Sequence, residues 1–199
     1  GERPEVKPFR YPEGVKPTKI YVEDKYIRSA EGGIGAYKAS ANYAGTLKPG
    51  EEVLEKGFSQ ICWLDAKEKK YIEEVGTSNI MFVLDGTLYT PSLKRGTILP
   101  GITRATVIEL AKEWGVEVKE KDLSVKKVFK AAEEGRLTEV FATGTAAVIS
   151  PVGLMKWKDK EVIINNQEIG PLSQRLYDEV TALQYGQKED TRGWAPVIG

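Results

Sequence analysis

Apolar and polar residues alternate over residues 19–22, which predicts a strand. Four short runs follow at 60–64, 70–74, 79–84 and 87–90, rich in β-branched and aromatic residues, and predict further strands. Asp85-Gly86 between the last two is a hairpin signal. Residues 42–56 carry a helical pattern that Pro49-Gly50 interrupts. An interior proline costs about 3 kcal/mol, so the expectation is a break, or a helix restarting with Pro49 in its first turn. Residues 97–99 predict another short strand, ending at Pro100-Gly101. Thr103 then precedes a helix to Trp114, with Val107, Ile108, Leu110, Ala111 and Trp114 at helical spacing and Gly115 as its stop.

The second half continues the alternation of element types. A strand is predicted at 116–119, and Ser124 caps a helix that ends at Gly135. Strands at 140–142 and 146–150 flank Thr143-Gly144-Thr145, and a strand at 161–165 follows a loop containing Trp157. Gly170-Pro171 opens a last helix, with Leu172, Leu176, Val180 and Leu183 on one face, ending near Gly186. Short strands interleaved irregularly with helices point to an α/β or α+β chain. A mixed, partly closed sheet with helices outside fits them better than a doubly wound sheet.

Composition narrows the chemistry. The 199 residues suit one large or two small domains and can bury a core without staples. The first 17 residues hold four of the ten prolines and read as an extended arm or linker, and the chain begins with Gly1 rather than Met. With 29 basic and 29 acidic side chains, nothing suggests nucleic acid or a membrane surface held by bulk charge. No apolar run reaches the roughly 18 residues of a membrane span, and the polar N-terminus is unlike a signal peptide. The single cysteine excludes an intrachain disulfide and CxxC chemistry, which fits a cytoplasmic setting; Cys62, in Ile61-Cys62-Trp63-Leu64, reads as a core thiol. No histidine is present, so Ser-His-Asp, Cys-His and imidazole-zinc mechanisms are excluded, and no metal site is expected.

Chemistry is left to Lys, Tyr, Glu, Asp, Ser, Thr or a borrowed cofactor. Gly32-Gly33-Ile34-Gly35 precedes Lys38 and Tyr43 but departs from the GxxxxGK[ST] phosphate loop. A lysine among small residues can be a desolvated, imine-forming amine; a solvated surface lysine is the plainer reading. Leu99-Pro100-Gly101-Ile102-Thr103 opens a helix whose free N–H groups suit a phosphate, against the plainer reading of a threonine cap. Thr143-Gly144-Thr145-Ala146 lets backbone approach an anion, or is an ordinary turn. Glu73 and Glu74 point to opposite faces of their strand, so at most one enters a given pocket; taken alone, each reads as a solvated charge.

In order and spacing these blocks resemble the branched-chain amino-acid aminotransferases, of the fold type IV group of pyridoxal 5'-phosphate enzymes. The resemblance runs from about Tyr11 to the C-terminus. It rests on Lys38 with Asn42-Tyr43, on the run from Tyr71 to Asn79, on the run from Gly96 to Arg104, on Thr143-Gly144-Thr145-Ala146, and on Ile169-Gly170-Pro171 and Leu183-Gln184-Tyr185-Gly186. It implies an α/β pseudo-barrel with outer helices and transamination of leucine, isoleucine and valine with 2-oxoglutarate. Lys38 would form the imine with pyridoxal phosphate and move the proton. Tyr43 would bond the phenolate oxygen, and Glu74 would face the pyridine nitrogen. Leu99 would pack on the ring, while Gly101, Ile102, Thr103 and Thr145 would hold the phosphate. Thr77 and Ala146 would receive the substrate carboxylate.

The family commonly carries a Gly-Gly pair where this chain has Ser40-Ala41. It also has a small N-terminal domain that supplies an arginine to the phosphate and a lid, and nothing in this sequence matches that domain. The resulting expectation is an arm at 1–17 and a cofactor-binding large domain at 18–199, from a family of homodimers. Its activity alone would be weak or absent. The rivals are a non-catalytic fragment or engineered scaffold, and a D-amino-acid transaminase or aminodeoxychorismate lyase of the same fold.

Overall fold

The computed structural model describes residues 15–194. Residues 1–14, most of the proline-rich arm, lie outside the described residues. The strands are β1 (Thr18–Glu23), β2 (Gln60–Leu64), β3 (Tyr71–Val75), β4 (Ser78–Leu84), β5 (Thr87–Thr90), β6 (Val118–Glu120), β7 (Leu123–Ser124), β8 (Leu137–Gly144), β9 (Val148–Trp157) and β10 (Lys160–Ile163). The helices are α1 (Ser40–Ala44), α2 (Leu47–Glu55), α3 (Ile102–Glu113), α4 (Val125–Glu133) and α5 (Pro171–Gln184).

Pairing runs β4–β8–β9–β1–β2–β3, and β3 returns to β4, so six strands close into a barrel. β1 pairs parallel with both β2 and β9, whereas β2–β3, β3–β4, β4–β8 and β8–β9 are antiparallel, so the sheet is mixed. β5, β6, β7 and β10 extend it outside the ring. Closure leaves the ring without free edges.

The two-residue strand period explains how the core divides. Ile80 and Phe82 of β4 join Ile20, Val22, Leu64, Val140 and Met155 in one cluster, which α4 enters through Val128 and Phe129. The alternate residues Met81 and Val83 join Phe141 and Ile149 on the other face, under Val107 and Leu110 of α3 and Leu176 and Val180 of α5. A third cluster packs Val53 of α2 on Ile61 and Trp63 of β2. Strands covered on both faces are apolar in runs, as in Ile80–Val83 and in the segment holding the buried Cys62.

The segment 42–56 is two helices, and Pro49 lies in the first turn of α2, as expected. Other local expectations change. Residues 97–99 are not a strand: the Leu99 N–H and the Thr97 carbonyl are taken by side chains rather than by a neighbouring strand. Thr103 does not precede its helix, because α3 starts at Ile102 with Gly101 as its cap residue. β6 begins two residues later than expected, and β8 and β9 are both longer. Trp157 ends β9 instead of lying in a loop, because β9 turns straight back into β10 with Trp157 opposite Lys160. Ser124 accepts from the Lys127 N–H and caps α4 as the spacing implies. Asp85 and Gly86 both take positive φ, the geometry a tight hairpin requires.

Candidate functional site

One rim of the barrel gathers several of the singled-out residues. β3 turns into β4 through Gly76 and Thr77, and Asn79 of β4 stands opposite Thr143 of β8. Gly144 lies opposite Val148, so the turn carrying Thr145 and Ala146 adjoins the turn carrying Thr77. A Cβ on Gly144 would press on the Ser78 hydroxyl, which shows how closely these turns approach. Arg28, Tyr37, Asn42, Tyr43, Glu74, Gly76, Thr77 and Leu99 line one recess at this rim.

Glu74 is buried, contrary to the solvated charge its strand position alone suggests. Its Oε1 accepts from the Leu99 N–H at 2.9 Å and from Asn79 Nδ2 at 3.4 Å. Its Oε2 pairs with Arg28 Nη2 at 2.9 Å. Burial pushes its pKa up to about 7, against the opposing pull of the Arg28 cation and the Leu99 N–H. Glu73 is buried as well, on the opposite face of β3, where its Oε1 accepts from the Thr97 hydroxyl at 2.6 Å. It lines a separate cavity with Asp65 and Arg95, so one carboxylate of the pair serves the recess, as the strand period requires.

Tyr43 is half-buried on the recess wall. Asn42 fixes the loop before it, donating to the carbonyls of Ile34 at 2.9 Å and Tyr37 at 2.8 Å. Lys38 follows Tyr37 directly and is exposed, so the plainer solvated state holds. Ser40 and Ala41 are exposed at the start of α1, so the side chains that replace the glycine pair face solvent.

Leu99 is half-buried, and the chain then enters α3 through Gly101. No side chain caps this helix, which leaves its first-turn N–H groups for an anion. A Cβ on Gly101 would overlap Asn79 Oδ1, so a larger residue here would have to displace that side chain or the helix start. Ile102 is 85% exposed, and Thr103 is half-buried. Thr145, Ala146 and Thr77 are exposed on the two adjoining turns, and Thr143 Oγ1, buried between them, has no hydrogen-bond partner.

Arg28 escaped the sequence reading. Lying in an irregular segment outside any motif, it gave no signal; only its burial beside Glu74 identifies it. Two residues of the quoted blocks had been given no role: Asn79, which ties Leu99 to β4 through a 2.9 Å bond to the Leu99 carbonyl, and Asn42, which holds the Lys38 loop.

A buried carboxylate, a facing tyrosine, a lysine on an anchored loop and an uncapped helix start can hold a phosphorylated, nitrogen-containing ring. Comparison with known proteins agrees. The family model for amino-transferase class IV matches residues 7–154. A probable branched-chain-amino-acid aminotransferase of Staphylococcus aureus is 51% identical over 186 residues, covering 94% of this chain and 52% of that protein. Branched-chain-amino-acid aminotransferase 2 of Bacillus subtilis is 50% identical over 188 residues, with 94% and 52% coverage. The chain thus spans about half the length of these curated relatives. The branched-chain amino acid aminotransferase of Escherichia coli superposes with a TM-score of 0.77 at 34% identity, covering 90% of this chain and 56% of that one. The T.th. branched-chain amino acid aminotransferase with pyridoxamine 5'-phosphate gives 0.80 at 27%, covering 96% and 58%.

Proposed function

Since the chain belongs to the class IV aminotransferases, we propose that it is the cofactor-holding large domain of a branched-chain amino-acid aminotransferase. The parent reaction is reversible amino transfer between leucine, isoleucine or valine and 2-oxoglutarate. The observation that carries this reading is the buried Glu74 carboxylate, set in one recess with Tyr43 and with Leu99, which leads into the uncapped start of α3. The names of the relatives favour branched-chain substrates over those of D-amino-acid transaminases or aminodeoxychorismate lyases.

Pyridoxal phosphate, when bound, supplies a ring that draws electrons from the substrate carbon bearing the amino group. Every other task falls to the chain. Glu74, as a carboxylate, holds a proton at the ring nitrogen; its pKa of about 7 leaves it readily ionised beside a cation. Tyr43 bonds the ring oxygen through its hydroxyl, and Leu99 packs on the ring. The N–H groups of Ile102 and Thr103, entered through Gly101, bind the phosphate together with the Thr145 hydroxyl. Thr77 and Ala146 receive the substrate carboxylate on their adjoining turns. Lys38 offers Nζ for attachment and for carrying a proton, which is how a chain without histidine does acid–base work.

The half of the relatives that this chain does not span leaves room for a second domain. The parent enzyme works as a cytoplasmic homodimer. The test adds pyridoxal phosphate to the purified chain. A visible absorbance band that borohydride fixes onto Lys38 is the expected result, and the same band in Lys38→Ala overturns the site. Turnover of leucine by the chain alone would show that no further domain is required.

A further inference from the structure

We propose that Arg28 is the positioning residue of this site: it sets the orientation and charge of Glu74 and joins that carboxylate to the Lys38 loop and to the entry of α3. A single nitrogen, Nη2, lies 2.9 Å from Glu74 Oε2, 2.6 Å from the Thr97 carbonyl and 3.3 Å from the Gly35 carbonyl. It has two hydrogens for three acceptors, so one hydrogen is shared, and the long contact to Gly35 is the weakest. The two side chains are only 7% and 3% exposed, so a lost bond here is poorly compensated by water.

The three acceptors belong to three different parts of the site. Gly35 lies three residues before Lys38, and Thr97 lies two residues before Leu99. With Arg28 on one oxygen and the Leu99 N–H on the other, the Glu74 carboxylate is held at both ends and cannot rotate. Gly35 and Thr97 meet so closely that a Cβ on Gly35 would overlap the Thr97 carbonyl. The guanidinium therefore sits at the junction of the lysine loop, the carboxylate strand and the helix entry. Removing it strands a buried carboxylate, which takes up a proton and no longer holds one at a ring nitrogen.

Other groups also act on Glu74: Tyr37 and Tyr43 line the recess with it, the neutral Asn79 amide and Leu99 N–H bond it, and Glu73 repels it from the opposite face of β3. Arg28 is the cation among them. Only the consequence for the cofactor rests on the function proposed above, and the first readout does without it.

The chain is labelled with 13C at glutamate carboxyls, without cofactor, and the Glu74 signal is assigned by its loss in Glu74→Gln. A midpoint about 7 is expected in the wild type. Arg28→Met should raise it by about one to three pH units. An unmoved midpoint in folded Arg28→Met overturns the proposal. If Arg28→Met does not fold, the double variant with Glu74→Gln decides: recovery of folding shows that the stranded carboxylate was the fault, and a double variant equally unfolded overturns the proposal. Pyridoxal phosphate affinity is then measured on the folded variants. A shifted midpoint with unchanged affinity sinks the cofactor reading and leaves the Arg28–Glu74 coupling standing.

Discussion

Glu74 sits under two opposed influences, and the balance can be read as stability. Its folded pKa of about 7 lies above the ordinary value of 4.5, so between those values the folded chain binds the proton that the unfolded chain has lost. The contribution is therefore complete below about 4.5 and lost as pH rises through about 7. Measured against Glu74→Gln by urea unfolding, the wild type should lose relative stability across that window and change little beyond it. A difference that grows with rising pH would mean that Arg28 outweighs burial. A second residue-scale prediction concerns Gly101. Alanine there meets Asn79 Oδ1, so Gly101→Ala should displace the Asn79 side chain or the start of α3, costing about 1–3 kcal/mol. Under the proposed function it should also weaken pyridoxal phosphate binding, which an absorbance titration measures. At this scale the sequence marked Glu74 and Gly101 only through the family resemblance, since taken alone the carboxylate reads as a solvated charge. It could not mark Arg28, because an isolated arginine in a bend looks the same whether it faces solvent or a buried carboxylate.

At the scale of elements, α5 shows a helix capped from a distance. It begins at Pro171 after Gly170, with no cap from its own flanking residues. Glu139 of β8 supplies the acceptor instead, taking the Leu172 N–H at 3.0 Å, the Ser173 N–H at 2.8 Å and the Ser173 hydroxyl at 2.6 Å. The carboxylate also meets the positive end of the helix dipole. Glu139→Ala should cost about 0.5–2 kcal/mol, the worth of a lost cap. Gly170→Ala should destabilise too, since its Cβ would overlap the Glu139 carboxylate. Urea midpoints of both variants, checked by circular dichroism, measure these costs, and an unchanged Gly170→Ala midpoint would show that Glu139 can move aside freely. Elements defined by their own turns were legible: β2 and β5 lie at the expected residues, and α4 carries its serine cap. Elements defined by a distant partner were not. Residues 97–99 look like a strand, but their backbone groups bond Glu74 and Arg28.

Closure of the barrel is a property of the whole chain. It depends on β3 returning to β4 while β1 bridges β2 and β9, strands separated by some of the longest intervals in the sequence. The ring leaves large apolar side chains exposed at Ile34, Tyr37, Leu47, Leu54 and Ile102. Ile34, Tyr37 and Ile102 lie on segments that border the recess, and under the proposed function a further domain or subunit would dock there. The purified chain is therefore expected to associate as concentration rises, by light scattering, and Ile102→Lys to reduce it. A monomer at all concentrations would count against that use of the rim.

Local information determined a good deal by itself. Turn residues, caps and apolar periods set most elements, the absence of histidine removed imidazole-based mechanisms, and an ordered series of short blocks carried the resemblance to a family. Those features are written in neighbouring residues, and chain connectivity enforces them. A mixed, partly closed sheet was already expected, but the strand pairings that close it, the burial of both Glu73 and Glu74, the Arg28 junction and the borrowed cap on α5 came only with tertiary structure. Each depends on residues far apart in the chain meeting where water is excluded, and there a partner's identity, not a residue's own type, decides whether a charge is solvated, paired or protonated.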